Sequence, residues 1–167
     1  MRILQVGSGL TGWAGIEKYV VYLSGGLAAK GHDVSVTVAP GSRLAEAVSG
    51  GIPLAIRHKL DLAALAAYIR LFRSSRFDVV HTHFNPDFLV PACAAKLAKV
   101  PRLVLTRHVA LPWPAVKART YSRLYDRIVP VSEAARKKLL SSGVPAERMR
   151  VAKAGCPALV PSGAVQL

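Results

Sequence analysis

The sequence predicts an α/β domain with a doubly wound, parallel, Rossmann-like sheet. Short apolar runs, which are typical of buried parallel strands, alternate with segments whose apolar residues recur every three or four positions. Residues 1–38 already form a complete strand–helix–strand unit, with a glycine-rich loop between the strand and the helix. Strands that alternate with helices favour a parallel sheet, in which ligands bind at the carboxyl ends of the strands.

The first of these units is the most clearly defined. Residues 2–6 (RILQV) form an apolar run that ends at Gly7, and a helical pattern begins at Ile16. Lys30 in the last turn and Gly31 directly after it are typical of a helix C-terminus. The alternating segment 33–38 then predicts the second strand.

The alternation continues along the rest of the chain. Apolar runs predict strands at residues 54–56, 77–81, 102–106, 127–131 and 149–152. Helical patterns predict helices at residues 44–48, 60–73 and 86–99, within 113–125, and from 132 to about 142. Ser132 is a favourable N-cap for the last helix, and the acidic Glu133 suits the positive end of its dipole.

Length and hydropathy indicate one domain without a membrane-spanning segment. The chain has 167 residues, 51% of them hydrophobic, which is enough for a single core. No apolar run approaches the roughly 20 residues that cross a bilayer. The N-terminal residues lead directly into glycines, without the apolar region and cleavage site of a signal peptide. We therefore expect a cytoplasmic domain, peripheral at the inner face of the cell membrane.

The net charge is +14, and most of it lies after residue 50. Arg119, Arg123 and Arg127 recur every four residues, and Arg70 and Arg73 lie near the end of a predicted helix. These five arginines form either a solvated surface or one that docks on an anionic membrane. Nucleic acid is not an expected partner, because the aromatic residues show no pattern of a base-stacking platform.

The loop from Gly7 to Gly15 is a candidate anion site. Its four glycines allow the backbone to approach a phosphate closely, and the helix that follows offers free N–H groups. It is not a Walker loop, since no Gly-Lys-Ser/Thr follows. A glycine-rich turn without a ligand is the alternative. Glu17, one turn into the helix, is either a solvated acid or a polar group on the floor of the crevice.

Histidines lie at the ends of two predicted strands. His81 and His83 are two residues apart on extended backbone, so their side chains point the same way, and His108 follows the strand at 102–106. We favour hydrogen-bonding roles over a metal site, because no third ligand is evident. His108 can bond a sugar hydroxyl or a phosphate, or accept a proton. Structural roles for all three are the alternative.

The sequence resembles the family 4 glycosyltransferases in four stretches that keep the family's order and spacing. These are MRILQVGSG, AGIEKYVVYLSGGLAAKGHDVSVTV, FDVVHTHFNPDFLVPACAAKLAKVPRLVLTRH and IVPVSEAARKKLLSSGVPAERMRVAKAG. The resemblance implies a GT-B fold, of which this chain is the N-terminal, acceptor-binding half. It implies transfer of a sugar, with retention at the anomeric carbon, from a nucleotide-sugar and without a metal or other cofactor. A weaker similarity to cell-envelope transferases implies a glycan or lipid-linked acceptor.

The resemblance also implies roles for individual residues. Residues 14–17 (AGIE) stand where the family has G-G-x-E, so Gly12, Gly15 and Glu17 are expected beside the donor diphosphate, although Ala14 replaces the first glycine. His108 matches the family histidine near the transferred sugar and is the expected catalytic residue. The expected acceptor-binding residues are His81, His83, Asn85, Ser132 and Glu133.

The resemblance implies a C-terminal donor-binding domain, which we expect this chain to lack. The chain ends at Leu167, where the linker to that domain is expected. We therefore expect residues 1–157 to form the acceptor-binding domain, residues 158–167 to be linker, and the chain alone to be inactive. The alternative is a stand-alone Rossmann-like binding module that needs a separate subunit with the donor site.

Overall fold

The computed structural model of the protein describes residues 1–9 and 11–153. The described residues form one parallel sheet in the order β3-β2-β1-β4-β5-β6. The strands are β1 (Arg2–Gly7), β2 (Asp33–Val38), β3 (Ile52–Pro53), β4 (Val79–Thr82), β5 (Arg102–Arg107) and β6 (Arg127–Pro130). The helices are α1 (Gly15–Ala29), α2 (Arg43–Ala47), α3 (Leu62–Ser75), α4 (Val90–Leu97), α5 (Ala115–Leu124) and α6 (Glu133–Ser141). The predicted fold class is confirmed.

The strand order reverses between β1 and β4, which are paired neighbours. The chain leaves β1 toward β2 on one side and leaves β4 toward β5 on the other, so the two following loops diverge. Such a switch point opens a crevice at the carboxyl edge of a parallel sheet. The glycine loop after β1 and the histidines of β4 therefore lie at the same place.

The helices cover the sheet in two layers. Helices α1 and α2 contact each other over the β2 side of the sheet, where Val20, Val36, Val38 and Leu44 form a small core. Helices α3, α4 and α5 contact each other in sequence on the opposite face, over the main core. None of the helices within the described ranges is long and apolar enough to cross a membrane.

Two buried tyrosines tie the main core to the strands. The Tyr125 hydroxyl donates to the carbonyl oxygen of Phe88 at 2.7 Å and lies 2.9 Å from Thr82 Oγ1. The Tyr68 hydroxyl lies 2.6 Å from Ser8 Oγ. Burial raises the pKa of both phenols, so both act as neutral hydrogen-bonding groups. They hold the carboxyl ends of β1 and β4 against the helices that carry them.

The predicted helix termini are confirmed at two positions. Gly31 has a φ of +79°, the left-handed conformation expected directly after a helix. The Ser132 hydroxyl accepts the Ala135 N–H at 3.1 Å and caps α6. Asp61 caps α3 in the same way, with Ala64 N–H as the donor at 2.9 Å. The α3 helix thus begins two residues later than predicted.

The strand predicted at residues 54–56 is wrong, because the third strand is Ile52–Pro53. Among residues 1–9 and 11–153 its one partner is β2, which ends at Val38, and the last bond between them runs from Leu54 N–H to the Val38 carbonyl at 3.0 Å. Residues after Leu54 have no strand left to pair with. The segment 149–152 likewise forms only an isolated bridge, between Met149 and Ile128, beside the short strand β6.

The helix predicted at 86–99 is divided. Residues Asn85–Asp87 form a single 3-10 turn, and α4 begins only at Val90. Pro91 explains the division, because a proline lacks an N–H and is tolerated only in the first turn of a helix. Strand β4 begins at Val79 and includes His81, which we predicted to lie at the strand's end.

Candidate functional site

Three histidines from two strands meet on the face of the sheet that α1 covers. The ring centroids of His81 and His83 are 4.1 Å apart, and those of His83 and His108 are 5.9 Å apart. Tyr19 of α1 packs edge-on against His108, with a centroid distance of 4.8 Å. Tyr19 is not among the site residues that the sequence predicts. The three histidines and Tyr19 are called the histidine cluster below.

Two members of the histidine cluster are held by the strands beside them. His83 is 1% exposed, and its Nε2 lies 2.6 Å from the amide oxygen of Gln5, to which it donates. His81 Nε2 lies 2.7 Å from the Thr106 hydroxyl. Within the described residues no group of three His, Cys, Asp or Glu side chains has the arrangement of a metal site. These bonds orient the rings rather than leaving them free.

Burial keeps the histidine cluster uncharged. It lowers the pKa of His81 to about 3, to which the neighbouring His108 adds. Burial also lowers the pKa of His108 to about 4, with the Arg107 charge adding to the shift and Glu17 opposing it. The pKa of His83 lies well below its ordinary value for the same reason. At neutral pH all three rings are therefore neutral hydrogen-bonding groups.

His108 and Glu17 connect the cluster with the glycine loop. His108 is half-buried, and its Nε2 has no hydrogen-bond partner among the described residues. Glu17 is only 6% exposed, so the interpretation as a solvated acid is wrong. Its Oε2 accepts the Ala14 N–H at 2.9 Å and closes the first turn of α1. Gly12 and Gly15 are exposed beside that helix start.

Asp87 is a buried acid at the crevice that the sequence analysis missed. Its carboxylate is 0% exposed, and neither oxygen has a hydrogen-bond partner among the described residues. Burial raises its pKa well above the ordinary value, which the nearby Gly9 N–H opposes without reaching hydrogen-bond geometry. The available signal was an acid directly after Asn85-Pro86, a typical turn at the end of a strand.

Gly9 has no space for a side chain. A Cβ atom there would lie 2.7 Å from Asp87 Oδ1 and 3.0 Å from Pro86 Cβ. The loop after β1 and the 3-10 turn after β4 therefore touch directly through backbone and short side chains.

We expect Gly9→Ala to lower the free energy of unfolding by about 1–3 kcal/mol, the usual range for overpacking at a rigid site. The matched control is Gly26→Ala in α1, where a Cβ meets nothing within 4 Å. That control should instead stabilise the protein by roughly 0.5–1 kcal/mol, since alanine replaces glycine inside a helix. Urea unfolding of the three proteins measures both effects, and an unchanged midpoint for Gly9→Ala would contradict the close packing.

The remaining acceptor-side residues lie apart from the histidine cluster. Asn85 is exposed and faces a cavity that Tyr121 also lines. Ser132 caps α6, and Glu133 is exposed, with an oxygen 3.8 Å from the Arg136 guanidinium. The structure thus brings His81, His83 and His108 together, whereas Ser132 and Glu133 lie at the start of another helix. Their roles in acceptor binding stay predictions.

The five arginines of the expected anionic surface are exposed but do not share one helix. Helix α5 ends at Leu124, so Arg119 and Arg123 lie on it while Arg127 opens β6. Arg127 thus opens a strand, as predicted, and its guanidinium donates to the Glu147 carbonyl at 2.9 Å. Arg73 lies near the starts of β4 and β5, at the edge of the sheet opposite the crevice. Membrane docking by these arginines stays a prediction.

Similar folds occur in solved glycosyltransferases. HepE from Anabaena, solved with UDP-glucose, superimposes with a TM-score of 0.76 at 15% identity, over 93% of this chain and 44% of HepE. A glycosyltransferase from Rickettsia africae gives 0.74 at 18% identity, over 91% of this chain and 42% of that one. The lipopolysaccharide outer core galactosyltransferase WaaB gives 0.65 at 12% identity, over 90% and 45%. This chain spans less than half of each, and its fold matches the N-terminal domains of GT-B enzymes.

A family model defines the relationship more directly than these folds do. No protein of curated function has a significantly similar sequence. Residues 13–157, however, match the model described as Glycosyltransferase Family 4. That range covers most of the chain and contains all three histidines of the cluster, the start of α1 and the cap of α6. The protein belongs to glycosyltransferase family 4.

Proposed function

We propose that this chain is the acceptor-binding domain of a retaining glycosyltransferase that moves a hexosyl group from a nucleotide-sugar to a cell-envelope glycan or a lipid-linked acceptor. The observation that carries the proposal is the junction of the glycine loop, the start of α1 and His108 at one crevice of a family 4 domain. HepE, solved with UDP-glucose, supports a nucleotide-sugar donor. WaaB, a lipopolysaccharide outer core galactosyltransferase, supports a cell-envelope acceptor.

The start of α1 is suited to the donor diphosphate. A helix N-terminus presents unpaired N–H groups and a partial positive charge, and exposed Gly12 and Gly15 let an anion approach the backbone. Glu17 is the only acid in this turn, and its bond to the Ala14 N–H directs one carboxylate oxygen to the backbone. A leaving diphosphate held by N–H groups and by basic side chains of a donor-binding domain needs no metal ion.

The neutral imidazole of His108 is suited to bond a hydroxyl of the transferred sugar. A ring whose pKa is about 4 is a weak base at neutral pH, so orientation of the sugar is a better role for it than proton removal. Tyr19 packs against this ring in a T-shaped arrangement, at a centroid distance of 4.8 Å, which supports a defined orientation of the ring. The remaining acceptor-side groups then lie along the same edge of the sheet.

The donor-binding domain lies outside this chain. The chain alone is therefore inactive. We propose further that the enzyme works in the cytoplasm, peripheral at the inner face of the membrane. A stand-alone binding module with a separate donor-site subunit is the second candidate, since this chain spans less than half of the solved transferases.

The test uses native protein, captured from source cells with an antibody against this domain. The captured material is incubated with radiolabelled nucleotide-sugars and the membrane fraction, and the anomeric configuration of the product is determined by NMR. Labelled product from the captured protein, and none from the 167-residue chain alone, is the expected result. No labelled product with any donor would overturn the proposal.

The size of the captured polypeptide separates the two candidates. A band of roughly 40 kDa corresponds to two domains of ordinary size in one chain. A band near the 17.8 kDa of this chain, with a co-captured second protein, corresponds to the separate subunit. Product formed by the 167-residue chain alone would contradict both.

A further inference from the structure

A cavity of about 280 Å³ lies at the carboxyl edge of the sheet, on the face that α3 and α5 cover. The loop before α3, the 3-10 turn after β4 and the first turns of α5 surround it. Its polar lining includes Arg57, Lys59, Asn85, Lys117 and Tyr121. The histidine cluster lies on the other face of the same sheet edge. This space is called the basic cavity below.

The basic cavity carries positive charge without a counter-ion. The side chains of Arg57, Lys59 and Lys117 form no ion pair or hydrogen bond with the described residues, and no carboxylate lines the cavity. Asp61 lies close to Arg57, and its oxygens accept the backbone N–H groups of Ala64 at 2.9 Å and Arg57 at 3.0 Å. These bonds lower the pKa of Asp61, and the charges of His58 and Arg57 add to the shift. Since Asp61 is committed to these backbone groups, the three cations favour an anion from outside the chain.

Three strongly exposed apolar side chains lie next in sequence, or nearly so, to residues that line the cavity. Leu60, Leu62 and Val116 are 73%, 74% and 77% exposed, the highest values among large hydrophobic side chains in the described residues. Leu60 follows Lys59 directly in the chain, and Val116 precedes Lys117. Helices α3 and α5 both begin at the carboxyl edge of the sheet, so all three side chains lie at that edge. Exposed apolar groups beside lysine and arginine are typical of surfaces that enter a membrane interface.

The arginine surface identified from the sequence lacks this combination. Arg73 shares its surroundings with the acid Asp78, and Arg119 and Arg123 share theirs with Glu147. Those arginines therefore lie near carboxylates. The basic cavity has three cations without a salt bridge among the described residues, at the same sheet edge as the exposed Leu60, Leu62 and Val116.

We propose that the basic cavity binds the phosphate or diphosphate head group of a membrane lipid, while Leu60, Leu62 and Val116 enter the bilayer interface. The volume is at the small end for ligand pockets, which suits a head group rather than a whole lipid or glycan. Asn85 lines this cavity and follows the strand of His81, so a bound lipid phosphate lies next to the crevice. The inference rests on the proposed function in that this lipid carries the acceptor.

The test is co-sedimentation of the 167-residue chain with phosphatidylcholine vesicles, with and without a long-chain polyisoprenyl phosphate. We expect binding only when the lipid phosphate is present. The triple variant Arg57→Gln/Lys59→Gln/Lys117→Gln should bind on the order of 100-fold more weakly, from about fivefold for each charge removed near the surface. Leu60→Ser/Leu62→Ser should also lower vesicle binding.

Matched control variants remove three positive charges or one exposed leucine side chain outside the basic cavity. Lys30→Gln/Lys99→Gln/Lys138→Gln removes three exposed lysines near the C-terminal ends of α1, α4 and α6, and Leu97→Ser changes a leucine that is 58% exposed at the end of α4. Both should retain vesicle binding within about fivefold, the effect of one surface charge. Unfolding temperatures confirm that the variants are folded.

Three results would overturn the inference. These are equal losses in the two triple variants, equal binding to vesicles without the lipid phosphate, and binding of inorganic pyrophosphate by a chain that fails to bind vesicles. The last result would identify a site for a free anion. Vesicle binding needs no donor and no turnover. Its failure beside an active native enzyme therefore counts against this inference alone, and intact vesicle binding without any sugar transfer counts against the proposed function alone.

Discussion

Replacing His108 by alanine is expected to lower sugar transfer by the native enzyme by a factor of about 100 or more, the usual effect of losing one hydrogen-bonding group that acts on the transition state. His108 packs against His83 of the histidine cluster and lies near Glu17 in the first turn of α1. Loss of the ring removes a hydrogen bond to the transferred sugar without opening the core, because the side chain is only half-buried. The measurement is kcat and KM for the nucleotide-sugar.

Two further variants separate this role from a structural one. His32→Ala changes a histidine in the turn between α1 and β2, at the opposite edge of the sheet, and should retain normal turnover. His108→Gln keeps a neutral hydrogen-bonding side chain and should recover part of the lost kcat. Turnover of His108→Ala within about twofold of the unmodified enzyme, far below the effect expected of a catalytic group, would show that His108 does not act on the sugar.

Acidification is expected to destabilise the domain by roughly 2–4 kcal/mol between neutral pH and pH 5. The pKa values of His81 and His108 in the folded protein are about 3 and about 4, below the 6.5 of an unperturbed histidine. The unfolded chain therefore binds protons first as the pH falls. This stability is fully present above about pH 6.5 and is lost as the pH falls toward the folded values. At pH 5 His81 accounts for about 2 kcal/mol and His108 for less, because solvent screens its half-buried ring, and His83 acts in the same direction.

Asp87 changes the stability of the domain with pH in the direction opposite to the histidines, so its contribution must be measured separately from theirs. Burial raises its pKa, so the stability that its protonated form contributes is present below the ordinary value of 3.8 and is lost as the pH rises through the folded value. Urea unfolding should therefore be measured in an Asp87→Asn background, at about pH 7.5 and pH 5. In that background position 87 no longer titrates. The difference in the free energy of unfolding between the two pH values then reports the protonation of the histidines.

The matched variants are His81→Gln/His108→Gln, which should remove most of the pH dependence, and His32→Gln, which should retain it. A loss of less than about 1 kcal/mol at pH 5 in the Asp87→Asn protein would mean that these rings accept protons without unfolding. The crevice would then be more open to water than the structure shows.

Unsatisfied buried polar atoms concentrate at the crevice. Gln5, His83, Asp87 and His108 each have at least one shielded polar atom without a hydrogen-bond partner among the described residues. Such atoms cost stability, and native proteins retain few of them. Their clustering beside the glycine loop is typical of a site that trades stability for ligand binding.

Local sequence patterns determined the strand–helix alternation, the glycine after α1, the Ser132 cap and the position of histidines near strand ends. These features depend on residues within one or two turns of each other, and the ordered motifs of family 4 supplied the fold. The same patterns gave wrong boundaries where an element depends on a residue or strand outside the pattern. The third strand depends on where β2 ends, and the start of α4 depends on how the chain accommodates Pro91.

Only the tertiary structure decided which side chains meet. Gln5 bonds His83 across 78 positions of sequence, and Tyr19 reaches His108 from a helix on the same face. Asp87 is buried against Gly9 because the strand order reverses between β1 and β4, and the basic cavity forms because α3 and α5 begin at one edge of the sheet. Sequence periodicity reports which face of an element is apolar, whereas the order of strands and the packing of helices decide what that face touches.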